Sequence, residues 1–336
     1  MKEIKGIVDI IKDGACLIGK NFCCDGFINT RKAGAISHFH DDHTKGLESA
    51  LHWYEKIYVS EATKDLLIAS MGVFLKLRNN LIAIPYNKTH SFDNEKITLY
   101  PTNHVLGSSQ ILIESNEKRI LFVGDIREGT NPIETDILVI LPHFGKPEHI
   151  REHKRDDVIK SFIKHVKSEI NTKSVCVLAC KGKLQDIMNL LYKADIDVPF
   201  LADESVKKIA EVYTKHNCVT GNIIDLSSYE AQEIIKSRSS HITFYPINTK
   251  ICRVDNYVKF TISEWNVIAP IKHKIARNEY MISISDHADF KGLIDFVKKC
   301  KPKYVVADNN RCGGSAELFV QYLNRNLKIK STYLPK

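Results

Sequence analysis

The sequence predicts an α/β protein in which an α/β module interrupts a β-rich domain. Residues 1–147 contain short apolar runs with β-branched residues, separated by turns, which is typical of strands. From 148 to 275 helical stripes alternate with buried strands, and 276–336 ends in strand, helix, strand and helix. Insertion of the middle segment explains this order. Simple succession of two domains is the alternative, because periodicity does not distinguish the two.

The individual elements follow from local patterns. In the first segment the expected strands are GIVDII, ACLIG, AGAISHF, EKIYVS, LIAIP, ITLYP, SQILIE, RILFVGD and DILVIL, and the one expected helix is EATKDLLIASM. The middle segment opens with KRDDVIKSFIKHVKSEI, whose apolar residues fall on one helical stripe. It continues with the strand SVCVLAC and the helices KLQDIMNLLYKA and ESVKKIAEVYTKH. The last segment consists of YMISISDH, DFKGLIDFVKKC, KYVVADN and SAELFVQYLNRN.

Composition places the chain among ordinary globular proteins. Of its 336 residues, 43% are hydrophobic and 26% are charged. No apolar run approaches the ~20 residues of a membrane helix, and the N-terminus lacks the apolar stretch of a signal peptide. We therefore expect a cytoplasmic protein without a membrane partner.

The nine cysteines are scattered along the chain, and the pairs Cys23/Cys24 and Cys176/Cys180 lack the CxxC spacing of a structural zinc site. We therefore expect the cysteines to act as small buried hydrophobic residues.

The strongest functional signal is the hexapeptide HFHDDH, directly after the apolar run AGAIS. It supplies His38, His40, Asp42 and His43 within six residues at a strand end. Residues two apart on an extended chain point the same way, so His38 and His40 can bind one metal ion. Asp42 and His43, past the bend, can reach a second ion. Imidazole with carboxylate suits Zn²⁺ or a similar divalent ion.

Two later positions fit the same site. His104 lies in the turn before the strand SQILIE, and Asp125 ends the buried strand RILFV. Each alone is more often a loop histidine or a turn residue than a ligand. Together with the hexapeptide they complete a candidate metal site.

These motifs, in this order, resemble the metallo-β-lactamase superfamily of hydrolases. SISDHADF, after a long α/β block, narrows the resemblance to the β-CASP nucleases, which include RNase J and the Artemis- and Apollo-type DNA repair nucleases. It covers nearly the whole chain and is closest to short members known as mRNA 3′-end-processing-like or ligase-associated exonucleases. The resemblance implies a four-layer αββα fold. It also implies a β-CASP cap at 148–275, between the two parts of the catalytic domain at 1–147 and 276–336.

The resemblance also implies roles for the ligands. It makes Asp25 the residue that orients the histidine loop, and it assigns the first ion to three histidines: His38, His40 and His104. The cofactor it implies is Zn²⁺ at this tight site and Zn²⁺ or Mn²⁺ at a weaker second site. Asp42 and His43 would hold that second ion, and Asp125 would bridge the two.

Catalysis is assigned in the same way to Asp42, Asp125 and His287. The two ions would clamp the scissile phosphate while water attacks phosphorus. His287 would protonate the departing 3′-oxygen as general acid.

Three positions depart from the family pattern, the simplest being Asn103, a turn residue in place of the usual glycine before His104. In ILPHFG, Leu141 stands where the family usually has an acid that pairs with the general-acid histidine. We therefore expect His287 to lack that partner. The alternative is that Leu141 is simply a core residue. In VVADNN, Asn309 stands where RNA-acting members have histidine, with Asp308 beside it as a substitute ligand. The missing histidine favours DNA over RNA as the substrate.

A glycine turn near the C-terminus offers a candidate phosphate site. Glycines that lead into a helix expose N–H groups suited to anions. The residues in question are Arg311, Gly313, Gly314 and Ser315, with Ser285 assisting. The alternative is an ordinary turn with Ser315 as the helix N-cap.

The net charge of +8 favours an anionic partner. Basic residues mix with Phe244, Tyr245, Tyr257, Phe260 and Trp265 between positions 236 and 277, which suits a nucleic-acid strand. A solvated face over an ordinary core is the alternative. We expect nucleic-acid contacts from Lys272, Lys274 and Arg277.

The sequence therefore predicts a metal-dependent nuclease, with a 5′ exonuclease on single-stranded DNA favoured over RNA. An RNA-processing exo- or endoribonuclease is the alternative within the class. A second class is a catalytically degenerate nucleic-acid-binding subunit, and a third is a small-molecule hydrolase such as a thioesterase. DNA repair or RNA processing would be the corresponding cellular role.

The basic segment yields a direct test. Replacing Lys272, Lys274 and Arg277 together with alanine should weaken single-strand binding and lower its salt dependence. Each lost phosphate contact should reduce the log–log slope of affinity against salt by about 0.7. An unchanged slope in a filter-binding or anisotropy titration would make this stretch ordinary solvated surface.

Overall fold

The computed structural model describes residues 4–250, 256–263, 272–312 and 314–336, with only the backbone of 272 and 273. The chain forms two compact units. One contains Met1–Ile150 together with His287–Lys336, and the other contains Arg151–Asp286. No helix in the described ranges is both long and apolar enough to cross a membrane.

The first part of the chain is built mainly of strands. They are β1 (Val8–Ile10), β2 (Cys16–Ile18), β3 (Phe22–Cys24), β4 (Ala33–Ala35), β5 (Lys56–Val59), β6 (Leu81–Ala83), β7 (Thr89–Phe92), β8 (Glu95–Pro101), β9 (Ser109–Ser115), β10 (Lys118–Phe122) and β11 (Ile137–Ile140). The helices are α1 (Leu47–Trp53) and α2 (Glu61–Met71), followed by a 3₁₀ turn at Val73–Leu77.

Helix α2 occupies the residues predicted for it, because the Ser60 hydroxyl accepts a hydrogen bond from Thr63 N–H and caps its first turn. The expectation of a single helix in this segment was wrong. Helix α1 was not predicted because it is short and its N-cap residue is Gly46, so no capping side chain marks its start.

The middle part alternates helices and strands. Its elements are α3 (Arg155–Glu169), β12 (Ser174–Ala179), α4 (Lys183–Lys193), β13 (Phe200–Ala202), α5 (Glu204–Lys215), β14 (Ile223–Asp225), α6 (Tyr229–Lys236), β15 (Ile242–Pro246), β16 (Tyr257–Ile262), β17 (Lys272–Ala276) and β18 (Glu279–Ile282). The last part contains α7 (Phe290–Cys300), β19 (Tyr304–Asp308), α8 (Ser315–Tyr322), a π-helical turn at Leu323–Leu327 and β20 (Ser331–Leu334).

The first unit contains two sheets that pack on a shared apolar core. Their strand orders are β1-β2-β3-β4-β5-β6 and β20-β19-β11-β10-β9-β8-β7. Ile10 and Phe22 of the first sheet meet Ile111 and Phe122 of the second in one core cluster. The other face of the second sheet packs against α7 and α8 through a separate cluster.

Strand β19 shows how the chain is threaded. It pairs with β11 in parallel, with Ile137 opposite Tyr304 and Ile140 opposite Ala307. The chain therefore leaves the second sheet after β11, forms the second unit, and rejoins the same sheet at β19. The middle segment is inserted between two neighbouring strands of one sheet.

The second unit has its own sheet, ordered β14-β13-β15-β12-β16-β18-β17. Its neighbours pair in parallel except β17 and β18, which form an antiparallel pair. The expected end of the insertion at 275 falls inside β17. The unit extends to Asp286 because β18 pairs with β16 and so belongs to this sheet.

The described cysteines are all free, and most are buried: Cys16, Cys23, Cys24, Cys176, Cys300 and Cys312. Cys180 is exposed and Cys218 is intermediate. The interpretation as small hydrophobic residues therefore fits the buried ones.

Leu141, directly after β11, is 2% exposed and packs in the core between the two sheets. It is thus a core residue, as the alternative interpretation had it. A carboxylate introduced there would lose its hydration without a designed partner.

We expect Leu141→Glu to lower the free energy of unfolding by roughly 3 kcal/mol or more, because it buries an unpaired ionisable group. Leu141→Met, which conserves volume, should cost less than about 1.5 kcal/mol. Urea denaturation of both variants tests this. Equal stability of the glutamate variant and wild type would show that the side chain at 141 reaches a polar site.

Candidate metal centre

Asp125 lies just beyond β10 and is 4% exposed. Gly124 before it has φ 56°, and a Cβ there would lie 2.7 Å from Ser37 Cβ. Only glycine tolerates both this conformation and this close approach. The glycine thus lets the end of β10 touch the loop that follows β4, which carries the histidine hexapeptide.

Three histidines and Asp125 converge at this point. His38 Nε2 lies 3.0 Å from His40 Nδ1, and His104 Nε2 lies 3.2 Å from the same atom. Asp125 Oδ2 is 3.6 Å from His38 Nε2 and 3.5 Å from His104 Nε2. One ligand atom from each of the four residues lies within 4.8 Å of all the others.

These separations fit a single tetrahedral ion. Bonds of about 2.0–2.1 Å to nitrogen and oxygen place tetrahedral ligand atoms roughly 3.3–3.4 Å apart. The observed separations of 3.0–3.6 Å bracket that distance. Three neutral imidazoles and one carboxylate are a donor set suited to Zn²⁺. The predicted first site is therefore brought together by the fold.

Asp25 orients the loop that carries the histidine hexapeptide. Its carboxylate accepts hydrogen bonds from Ser37 N–H at 2.7 Å and from the Ser37 hydroxyl at 2.6 Å. It also lies 2.6 Å from His43 Nδ1. Ser37 Oγ is in turn 2.9 Å from His38 Nδ1. Because these partners take the Nδ1 atoms, the Nε2 atoms of His38 and His43 are left to face Asp125.

His43 Nε2 is fully buried, and no atom of the described structure forms a hydrogen bond with it. It lies 3.3 Å from Asp42 Oδ2 and 3.4 Å from Asp125 Oδ2. A buried nitrogen held between two carboxylates requires a cation, either a proton or a metal ion. This orphaned atom is a second sign that the cluster is built around metal.

The electrostatics of the cluster favour metal binding. Burial, reinforced by the neighbouring His43 and His40, holds the pKa of His38 well below its usual range, so this ring is neutral near pH 7. Burial opposes the ionisation of Asp125, but the surrounding imidazoles, His43 first, hold its pKa well below the ordinary value. A neutral imidazole beside an ionised carboxylate is the state that a divalent ion requires.

Two more histidines contact Asp125. His143 Nε2 lies 2.9 Å from Asp125 Oδ1, and His287 Nε2 lies 3.1 Å from Oδ2. Sequence analysis identified His287 and missed His143. The signal for His143 was its place in ILPHFG, two residues after Leu141 and shortly after the buried strand DILVI.

The residues expected to complete a second ion at Asp42 and His43 are engaged elsewhere. Asp308 Oδ2 pairs with Arg311 Nη1 at 2.7 Å, and both side chains are buried. Asn309 donates through its side chain to Pro335 O and through its backbone to Leu334 O. Both residues are therefore tied into the last strands, and the role of Asp308 as a substitute ligand stays a prediction.

Arg311 is an internal brace in this structure, and its expected contact with a phosphate stays a prediction. Its guanidinium donates to the carbonyl oxygens of Gly14, Asp25 and Asp42 as well as to Asp308. Burial opposes its charge, but Asp25 and Asp308 raise its pKa above the ordinary value. The residue therefore stays ionised and holds the backbone of the metal loop against β19.

The other residues of the candidate phosphate site do not converge on Arg311. Ser285 accepts a hydrogen bond from Arg151 within the second unit. Ser315 donates to His143 O, and Gly314, in the left-handed conformation, occupies the N-cap position of α8. The N-cap role expected for Ser315 is thus taken by Gly314. Gly313 lies outside the described residues.

The basic segment is mostly an ordinary strand region. Phe244 and Phe260 are buried in the core of the second unit, so they are not available to stack on bases. Lys274 and Arg277 are exposed, whereas the side chain of Lys272 and all of Trp265 lie outside the described residues. The contacts predicted for these three basic residues stay a prediction.

No family model matches the sequence. A protein described as "RNase J-like protein", from Methanocaldococcus jannaschii, is 24% identical, covering 89% of this chain and 86% of its own length. The "5′ exonuclease Apollo" of Gallus gallus is 31% identical over 121 residues, which is 34% of this chain and 25% of that protein. A protein of Acidianus ambivalens, described as lying in the 3′ region of lig, is 31% identical over 139 residues, 40% of this chain and 99% of that protein.

The chain belongs to the metallo-β-lactamase β-CASP nuclease family. The predictions of family and of a hydrolytic nuclease are thereby confirmed. A crystal structure of a protein of unknown function from Enterococcus faecalis V583 superposes with a TM-score of 0.62 at 13% identity, over 90% of this chain and 79% of that one. At 13% identity this structural similarity shows a common fold and carries no information about function.

The role of Arg311 can be tested by its effect on stability. Arg311→Ala leaves Asp308 buried and unpaired, so we expect the free energy of unfolding to fall by about 3–5 kcal/mol. Arg325→Ala, an exposed arginine, is the matched control and should change it by less than about 0.5 kcal/mol. A stable Arg311→Ala protein that loses affinity only for 5′-phosphorylated oligonucleotides would instead support the phosphate site.

Proposed function

We propose that this β-CASP family member is a metal-dependent nuclease that degrades single-stranded DNA from its 5′ end. In this proposal the two-sheet unit is the catalytic domain of a four-layer αββα fold, and the inserted unit is its β-CASP cap. The observation that carries the proposal is the convergence of His38, His40, His104 and Asp125 within 4.8 Å.

The side chains of the cluster have distinct tasks. His38, His40 and His104 bind the ion through neutral nitrogens, and Asp125 supplies the negative charge. Asp25, through Ser37, fixes which nitrogen of His38 faces the ion. When bound, such an ion acts as a Lewis acid on phosphoryl oxygens and lowers the pKa of coordinated water.

The remaining imidazoles face the substrate. The side chains of His143 and His287 are 14% and 15% exposed, whereas those of His38, His43 and His104 are at most 1% exposed. A phosphodiester that reaches Asp125 therefore meets these two rings. The sequence-based expectation for His287 was transfer of a proton to the leaving oxygen.

The choice of DNA rests on the relatives and on Asn309. The Apollo relative is a 5′ exonuclease by name, and a probable DNA ligase of Opitutus terrae matches 82% of this chain over 26% of its own length. Asn309 stands where RNA-acting members have histidine. RNA is the second candidate, because the RNase J-like relative matches over 89% of the chain.

Substrate and polarity can be read in one assay. We expect 5′-phosphorylated single-stranded DNA with a 3′ label to be shortened stepwise, and the same strand with a 5′ label to release mononucleotide at once. EDTA should abolish both signals. Faster shortening of the matched RNA strand would make the enzyme a ribonuclease, and internal fragments would make it an endonuclease.

The first metal site is tested by substitution. His40→Ala and Asp125→Asn should each lower the hydrolysis rate by about 10³-fold or more, because metal-ion catalysis supplies several kcal/mol. Both should also reduce bound zinc, measured by plasma mass spectrometry, while the circular dichroism stays native. The exposed His52→Ala is the control. Wild-type hydrolysis by either site variant would exclude this cluster as the active site, and a metal-replete but inactive wild type would support the binding-subunit alternative.

A further inference from the structure

An apolar cavity in the first unit is lined by the edge strands of both of its sheets. Strand β1 is the end strand of one sheet, and β20 is the end strand of the other. The cavity has a volume of about 510 Å³. The residues that define its character are five aliphatic side chains and one arginine: Ile4, Ile7, Val8, Leu17, Leu334 and Arg31.

The walls of this cavity continue the core between the two sheets. Ile4 and Val8 belong to the shared core cluster, and Ile7 and Leu334 are partly buried against it. Cavities that bind small molecules have volumes of roughly 300–1,000 Å³ and are mostly apolar, with a few polar groups that orient the ligand. An apolar molecule bound here would extend the core and remove its own apolar surface from water.

Arg31 is the polar group of the cavity that lacks a partner. Its Nε is buried, and no atom of the described structure forms a hydrogen bond with it. A buried N–H of a charged group is costly without an acceptor, and arginine does not escape this cost by losing its proton. The other charged residues of the lining, Lys5 and Asp9, are exposed to water. An anion in the cavity would therefore pair with Arg31.

The outer edge of β1 is not prepared to receive a peptide strand. Hydrogen bonds to β2 alternate along β1, so Val8 and Ile10 direct their N–H groups to the outer edge. Both groups already donate, to Ile4 O at 3.1 Å and to Asp9 Oδ1 at 2.9 Å. Strand addition depends on main-chain hydrogen bonds along such an edge. The cavity therefore suits a molecule recognised by its apolar body and its charge.

We propose that this cavity binds a small amphipathic carboxylate, a molecule with an aliphatic body and one anionic head. The body packs on the aliphatic side chains of the two edge strands, and the head pairs with Arg31. Guanidinium and carboxylate match in geometry and form paired, charge-assisted hydrogen bonds. None of the described residues that line the cavity belongs to the metal cluster. The site is therefore independent of the proposed nuclease function.

The binding test uses dodecanoate as the probe, below its micellar concentration, with the full zinc-loaded chain in a calorimeter. We expect one molecule bound per chain and a higher melting temperature, because the ligand binds the folded state. Decanoate and octanoate should bind more weakly, by about fourfold for each methylene removed. The absence of saturable binding by the wild type would overturn the inference and leave the nuclease proposal intact.

The role of Arg31 is tested by removing its charge. Arg31→Gln keeps an amide donor, and we expect it to weaken dodecanoate binding by about 10-fold or more, since hydrogen bonds to charged groups are the stronger ones. Neutral 1-dodecanol should bind the variant and the wild type alike. Arg325→Gln, at an exposed arginine of the same unit, is the matched control and should bind dodecanoate as the wild type does. Equal affinity of Arg31→Gln and wild type for dodecanoate would contradict the assignment.

A carboxylate could also bind at the metal cluster, so the titration is repeated after zinc is removed with EDTA and dialysis. The affinity for dodecanoate should stay within about twofold of that of the zinc-loaded chain, because Arg31 lies outside the cluster. Binding that disappears with the zinc would place the carboxylate on the metal and overturn the inference. Equally tight binding of dodecyltrimethylammonium, which carries the opposite charge, would also overturn it.

Discussion

The carboxylate of Asp125 is the interaction on which the rest of the site depends. Five imidazole nitrogens surround it within 3.6 Å, from His38, His43, His104, His143 and His287. A buried carboxylate in this setting keeps its charge only because those rings compensate for its lost hydration. The rings, in turn, come from four separate segments of the first unit. The packing of the sheets therefore brings the ligands together, and Gly124 permits the close contact between them.

The position of the insertion explains why so large a unit can interrupt the first unit without separating the residues of this site. Strands β11, before the inserted unit in the chain, and β19, after it, are hydrogen-bonded neighbours in one sheet over their whole paired length. His143 follows β11, and His287 precedes α7, which packs against that same sheet. Both histidines therefore belong to the first unit, although more than a hundred residues of the second unit lie between them in the chain.

Much of this architecture was predictable from local patterns. Apolar periodicity identified most of the described strands of the first unit but missed the short strands β3, β7 and β20. The order of HFHDDH, His104 and Asp125 identified four candidate ligands that the fold does bring together. What escaped prediction depends on tertiary contacts. Arg311, besides its local ion pair with Asp308, donates to the carbonyl oxygens of Asp25 and Asp42, which are more than 250 residues away in the chain. Similarly, His143 is placed beside Asp125 by the burial of Leu141 and by the contact of Ser315 with the His143 carbonyl. The spacing of residues in the sequence does not reveal either contact.

The ion is expected to be held by nitrogen and oxygen, although the chain also contains nine cysteines. X-ray absorption at the zinc edge of the zinc-loaded protein distinguishes these ligand types. We expect a first shell of nitrogen and oxygen at about 2.0–2.1 Å, with the outer-shell pattern of imidazole. A sulfur shell at about 2.3 Å, or zinc absorption with no imidazole pattern, would contradict it.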